Sequence, residues 1–92
     1  SSAVTKQTNY NYAKLFVNSY IVNGSSGNYY YTMARVTGDY YNTGYKNFCT
    51  TSSYNIYYNA SNTCHSGGNY TLNMLTASDN PYQTRVSGTW TP

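Results

Sequence analysis

The sequence predicts an all-β domain: a small antiparallel β-sandwich or barrel of about six to seven strands with one disulfide. Three observations carry this. Apolar and polar residues alternate with period two over long stretches, the pattern of strands with one face in a core. Clusters of Gly, Asn and Ser interrupt the alternation at short intervals, as turns between strands do. No window carries a helical period.

The elements follow in order. Residues 1–8 (SSAVTKQT) lack periodicity and read as a flexible tail or a short edge strand. Residues 9–22 read as a long strand, with Ala13, Leu15, Val17 and Ile21 on one face. Tyr12, Lys14, Phe16, Asn18 and Tyr20 fall on the other. Asn23-Gly24 opens a turn that runs to Asn28. In residues 29–37, Tyr29, Tyr31, Met33 and Arg35 oppose Tyr30, Thr32, Ala34 and Val36. A short strand at 45–51 carries Phe48 and Cys49. The next, at 53–59, sets Tyr54, Ile56 and Tyr58 against Tyr57. A polar loop at 60–69 holds Cys64, His65 and Gly67-Gly68. Residues 70–76 form a strand, 77–81 a turn, and the last strand runs from Tyr82 to Trp90. All 92 residues belong to a single β domain.

Composition narrows the function. The chain has 14 tyrosines but only five Lys and Arg and two Asp, where an ordinary domain is about one quarter charged. Aliphatic residues are few, so tyrosine completes the core, its hydroxyls reaching the edge. Asp39 and Asp79 both stand beside turn residues, and His65 is the single histidine. A glycosidase-type carboxylate pair, a catalytic triad or a metal site needs more than this. The expectation is a protein that is not an enzyme and takes neither cofactor nor metal. Lys6, Lys14, Arg35, Lys46 and Arg85 are spread singly, unlike the clusters of nucleic-acid-binding proteins. No apolar run approaches the ~20 residues of a membrane-spanning helix.

Cys49 and Cys64 make an even pair in a short, charge-poor chain, which points to an oxidising compartment and a disulfide. Closing a loop of about 15 residues would contribute roughly 3 kcal/mol. With the Ser1-Ser2-Ala3-Val4 start, which reads as a mature N-terminus after removal of a leader, this predicts a secreted, extracellular protein.

The tyrosine runs are the candidate binding residues. In Tyr29-Tyr30-Tyr31, Tyr40-Tyr41 and Tyr57-Tyr58, successive strand residues face opposite sides, so not every ring points inward. Outward rings suit stacking on an extracellular glycan, a cell-envelope component or a protein. The competing reading is aromatic ladders that only stiffen the sheet. Exposed edge strands would also open a route to homo-oligomers.

The C-terminal segment reads Gly68-Asn69-Tyr70-Thr71-Leu72-Asn73-Met74-Leu75, a turn, then a strand closing on Val86-x-Gly88-x-Trp90-x-Pro92. It resembles small secreted proteins of Gram-positive bacteria. In composition the chain resembles, more distantly, the lactococcin-like bacteriocins with a β-sandwich fold. That resemblance implies an antimicrobial action at the cell envelope. The bacteriocin family is generally cysteine-free, so Cys49 and Cys64 depart from it. A third expectation is an inhibitor of a secreted hydrolase that presents the Cys64–Gly68 loop.

Overall fold

A computed structural model describes residues 2–22, 30–60, 63–78, 80 and 83–92. The expected Asn23–Asn28 turn, Tyr29, Asp79 and Tyr82 lie outside them. Seven strands are described: β1 (Val4–Thr5), β2 (Tyr12–Val22), β3 (Thr32–Gly38), β4 (Lys46–Phe48), β5 (Ser53–Tyr57), β6 (Asn69–Thr76) and β7 (Thr84–Thr91). They form two sheets, β1-β6-β3-β4 and β5-β2-β7, and every strand pairing is antiparallel. Among the described residues no helix is long and apolar enough to cross a membrane.

The alternation read from the sequence becomes the core. Ala13, Leu15 and Val17 of β2 and Ile56 of β5 face Ala34 and Val36 of β3, Phe48 of β4 and Leu72 of β6. These small aliphatics leave space that aromatic rings fill. Tyr58 and Tyr70 are buried, and Tyr20, Tyr41, Tyr54 and Trp90 pack partly buried against the same cluster. Tyr20 and Phe48 meet edge to face across the two sheets at 5.7 Å, a favoured aromatic geometry.

β2 does not keep one phase. Val17 pairs with Gly88 and Ser19 with Ser87, so Asn18 is an extra residue in β2. Such a bulge reverses which side chains face inward. Beyond it Tyr20 turns to the core and Ile21 is 49% exposed, contrary to the alternation, which put Ile21 inside. A Cβ on Gly88 would run into the Phe16 carbonyl oxygen, so glycine is what lets β7 approach β2 at the bulge.

The N-terminal segment is an edge strand. Val4 and Thr5 pair with Tyr70 and Asn69, and Lys6 then turns inward. Only 1% exposed, it donates from Nζ to the Tyr10 carbonyl (2.9 Å) and to Thr8 Oγ1 (3.3 Å). Its ammonium lies 5.3 Å from the centre of the Tyr58 ring.

The expected Cys49–Cys64 disulfide does not form: the two cysteines are not bonded to each other. The segment between them explains this. It contains β5, which carries the chain away from Cys49 instead of folding it back. Cys49 stays near Tyr20 at one end, while Cys64 lies among Lys6, Tyr58 and Tyr70 at the other. From Tyr54, near Cys49's end, to Tyr58 is four strand residues, about 13 Å at the usual rise. A disulfide needs Cα atoms within about 7 Å.

Candidate binding surface

Two aromatic groups dominate the surface chemistry. The first lies on the outer face of β5-β2-β7. Because Ala13, Leu15 and Val17 point inward, Tyr12, Lys14 and Phe16 point outward. Register places Tyr57 opposite Tyr12, Asn55 opposite Lys14 and Ser53 opposite Phe16. On the other side, Thr91 is opposite Lys14 and Thr89 opposite Phe16. The Tyr10 ring stacks on Tyr12 at 5.3 Å with 2° between planes, and Tyr57 meets Tyr12 at 5.5 Å. Tyr10, Tyr57 and Phe16 are 54%, 58% and 47% exposed. The result is a row of rings on a rigid sheet, set among amides and hydroxyls. A hollow of about 70 Å³ lies beside it, lined by Thr8, Tyr10, Tyr12, Lys14, Thr91 and Pro92. On the far side of Tyr57, a groove of about 240 Å³ runs between β4 and β5, lined by Tyr45, Lys46, Asn55 and Tyr57.

The second group sits where β3, β6 and the loop before β6 meet. Tyr40 and Tyr41 hold the His65 ring at 4.6 and 5.3 Å, and Tyr41 continues through Tyr58 to Tyr70. Gly67 and Gly68 shape the turn with φ of 94° and 79°, a backbone region that favours glycine. Gly68 also lies against the Tyr40 ring. The His65 ring is tied through Nδ1 to the Ser66 carbonyl oxygen (3.0 Å). Cys64 is buried and His65 exposed, so the adjacent pair points apart. Asp39 accepts the Asn69 backbone N–H at 2.8 Å, which makes it a structural carboxylate.

Deep in this group the hydroxyls of Tyr58 and Tyr70 are buried without a hydrogen-bond partner. Burial pushes both above the usual tyrosine value, Tyr58 well above it, with Cys64 and a neighbouring tyrosine adding to each. The N–H groups of Tyr41 and Tyr40 act against the rise at Tyr70, short of hydrogen-bond geometry. Burial also raises Tyr20, although its hydroxyl donates to the Tyr30 carbonyl oxygen (2.6 Å) and pairs with Thr32. Burial lowers Lys6, opposed by the nearby Cys64.

The tyrosines expected at a site do not come together. Tyr57 lies on the outer face of β5-β2-β7. Tyr58, its neighbour, is core at 4% exposure. Tyr40 is exposed and Tyr41 half-buried beside His65. Tyr30 and Tyr31 sit at the far end of β3, seven strand residues or about 23 Å away. There the Tyr31 carbonyl oxygen receives the Ala77 N–H. Tyr29 lies outside the described residues. Tyr10, Tyr12, Phe16 and Tyr45 complete the surface and were not among the expected residues. For Tyr12 and Phe16 the signal was present, since they oppose the core positions of the same strand.

A larger opening, about 360 Å³, lies between β6 and β7, lined by Thr32, Met74, Leu75, Thr76, Thr84 and Val86. Among the described residues its walls carry neither tyrosine nor cation. Among the described residues, no three of His, Cys, Asp and Glu stand close enough to hold a metal ion. The chain matches no known family model, no curated protein and no solved structure.

Proposed function

We propose that this is a secreted, non-enzymatic binding protein that holds an extracellular target, a glycan or glycan-bearing cell wall, against the outer face of β5-β2-β7. One observation supports this most. Tyr10, Tyr12, Tyr57 and Phe16 are held outward on a sheet whose other face carries the core residues Ala13, Leu15, Val17 and Ile56. A protein does not need exposed rings to fold, and concentrated ring surface beside neutral hydrogen-bonding groups suits the apolar faces and hydroxyls of sugars. Asn55, Thr89 and Thr91 supply those neutral groups. The site is built on strands, so little ordering cost falls on binding. The non-enzymatic reading draws on the occupied state of the candidate groups: Asp39 holds a backbone amide and His65 a backbone carbonyl. Secretion now rests on composition and the C-terminal resemblance alone, without the disulfide.

The test is co-sedimentation of the protein with insoluble polysaccharides and purified peptidoglycan. Binding to at least one, weakened about tenfold or more by Tyr12→Ala with Tyr57→Ala, supports the reading. An unchanged affinity in that double variant, or no binding to any glycan, overturns it. Circular dichroism of the variant confirms that the fold is intact.

A further inference from the structure

We propose that the ligand of this surface is a polyanionic glycan, a sugar polymer carrying carboxylate or phosphodiester groups. It would lie from the Tyr10–Tyr12 stack across Lys14 and Tyr57 into the groove between β4 and β5. This inference rests on the binding reading above and adds the charge of the ligand to it.

The placement of the cations sets the charge of the ligand. Five basic residues are scattered along the sequence, and the fold brings two of them to the ring surface. Lys6 is buried and engaged with Thr8 and Tyr10. Arg85 pairs in register with exposed Ile21 beyond the bulge, on the same outer face but four strand residues from Thr89 and Phe16, about 13 Å. Lys14 and Lys46 fall on one belt, and Arg35, which projects from the outer face of the other sheet, reaches its far rim. Lys14 projects between Tyr12 and Phe16, about 7 Å from each along the strand, with Asn55 beside it in register. Asn55 also lines the groove that holds Lys46, Tyr45 and Tyr57. Arg35 then stacks over Tyr45 at 5.0 Å, a cation–π contact that pre-orders its guanidinium.

No side-chain carboxylate among the described residues answers these charges. Asp39 belongs to the other aromatic group, bound to Asn69. Two cations set among rings and neutral amides, with Arg35 at the far rim of the groove, form a surface of low charge density. That matches a hydroxyl-rich polymer with spaced anions. A single-stranded nucleic acid, with a phosphate at every base, is usually met by a more strongly basic groove.

The experiment measures affinity of the full chain for four soluble polymers at low and moderate salt. They are polygalacturonate, polyglycerol phosphate, neutral dextran and poly(dT). The variants are Lys14→Gln with Lys46→Gln, and Arg85→Gln as a cation outside the belt. The proposal expects one or both acidic glycopolymers to bind, more weakly as salt rises. The double variant should lose tenfold or more, and Arg85→Gln less than twofold. Polygalacturonate against polyglycerol phosphate then separates the carboxylate source from the phosphate source. Dextran binding as tight as the acidic polymers, unaffected by the double variant, would overturn the anionic ligand while leaving the aromatic binding surface standing. Tighter binding to poly(dT) than to either glycopolymer would overturn it in favour of nucleic acid. Binding to none of the four, nor to the insoluble glycans above, would overturn both readings. Loss in Arg85→Gln equal to that in the double variant would show attraction to net charge only, and would also overturn it.

Discussion

Tyr57 and Tyr58 are adjacent in the chain and opposite in circumstance. Tyr57 is 58% exposed and meets Tyr12 on an outer face; Tyr58 is 4% exposed and meets Tyr70 in the core. The same division separates the two aromatic groups. The one around Tyr58 and Tyr70 fills volume that a core of few aliphatics leaves open, at the cost of two buried hydroxyls without partners. The one around Tyr12 and Tyr57 fills nothing. The chain therefore uses one residue type for two tasks, and the strand period decides which ring does which.

That contrast breaks most visibly by truncation. Tyr70→Ala should destabilise by about 3–5 kcal/mol, the range for losing a large buried ring. Thermal denaturation should show a drop of well over 10 °C. Tyr57→Ala should stay within about 0.5 kcal/mol of the parent, as an exposed substitution does. Next in size is Gly88→Val. Its side chain would meet the Phe16 backbone, and forcing β7 from β2 should cost about 2 kcal/mol or more by denaturant titration.

Alkaline titration sharpens the contrast. Tyr20, Tyr58 and Tyr70 are raised above the ordinary value of 10.0 in the folded chain, so folding favours their neutral forms. That contribution is fully present below pH 10 and is lost as pH climbs from there toward their folded values. Lys6, lowered from 10.5, acts in the opposite sense and is relieved as pH approaches 10.5. The three hydroxyls should therefore ionise together with unfolding, read as coincident changes in phenolate absorbance and far-ultraviolet dichroism. Their ionisation in a still-folded chain would contradict the burial. The smallest effect is the most specific. Tyr58→Phe removes a buried hydroxyl that has no partner, so it should be neutral or stabilising by up to about 1 kcal/mol. A loss above 1 kcal/mol would mean that hydroxyl is bonded.

Much of the fold was legible because its signal is local. Alternation at Ala13, Leu15 and Val17 gave the inner face of β2, and for β3 it separated Thr32, Ala34 and Val36 from Met33 and Arg35, a division the core then follows. It failed at Asn18, because a bulge is set by the approach of another strand at Gly88, which β2's own residues do not encode. The disulfide failed for a related reason. Sequence separation between Cys49 and Cys64 suggested a closed loop, but a strand inside that loop turns separation into distance. The binding surface was half legible. Tyr57 and its outward direction followed from period two, whereas the company it keeps depends on pairing between β2 and β5. Likewise Lys14 and Lys46 look isolated along the chain and are linked only through Asn55, which pairs with Lys14 and lines the groove that holds Lys46.

The central claim is that the tyrosines divide into a packed set and a ligand-facing set. Tyrosine nitration, mapped by peptide mass spectrometry with and without the acidic polymer that binds, tests it most directly. Tyr10, Tyr40 and Tyr57 should be nitrated in the free protein, and Tyr58 and Tyr70 spared. Polymer should then protect Tyr10 and Tyr57 but not Tyr40. Nitration of Tyr58 at the rate of Tyr57, or protection of Tyr40 with Tyr57 left reactive, would contradict the account.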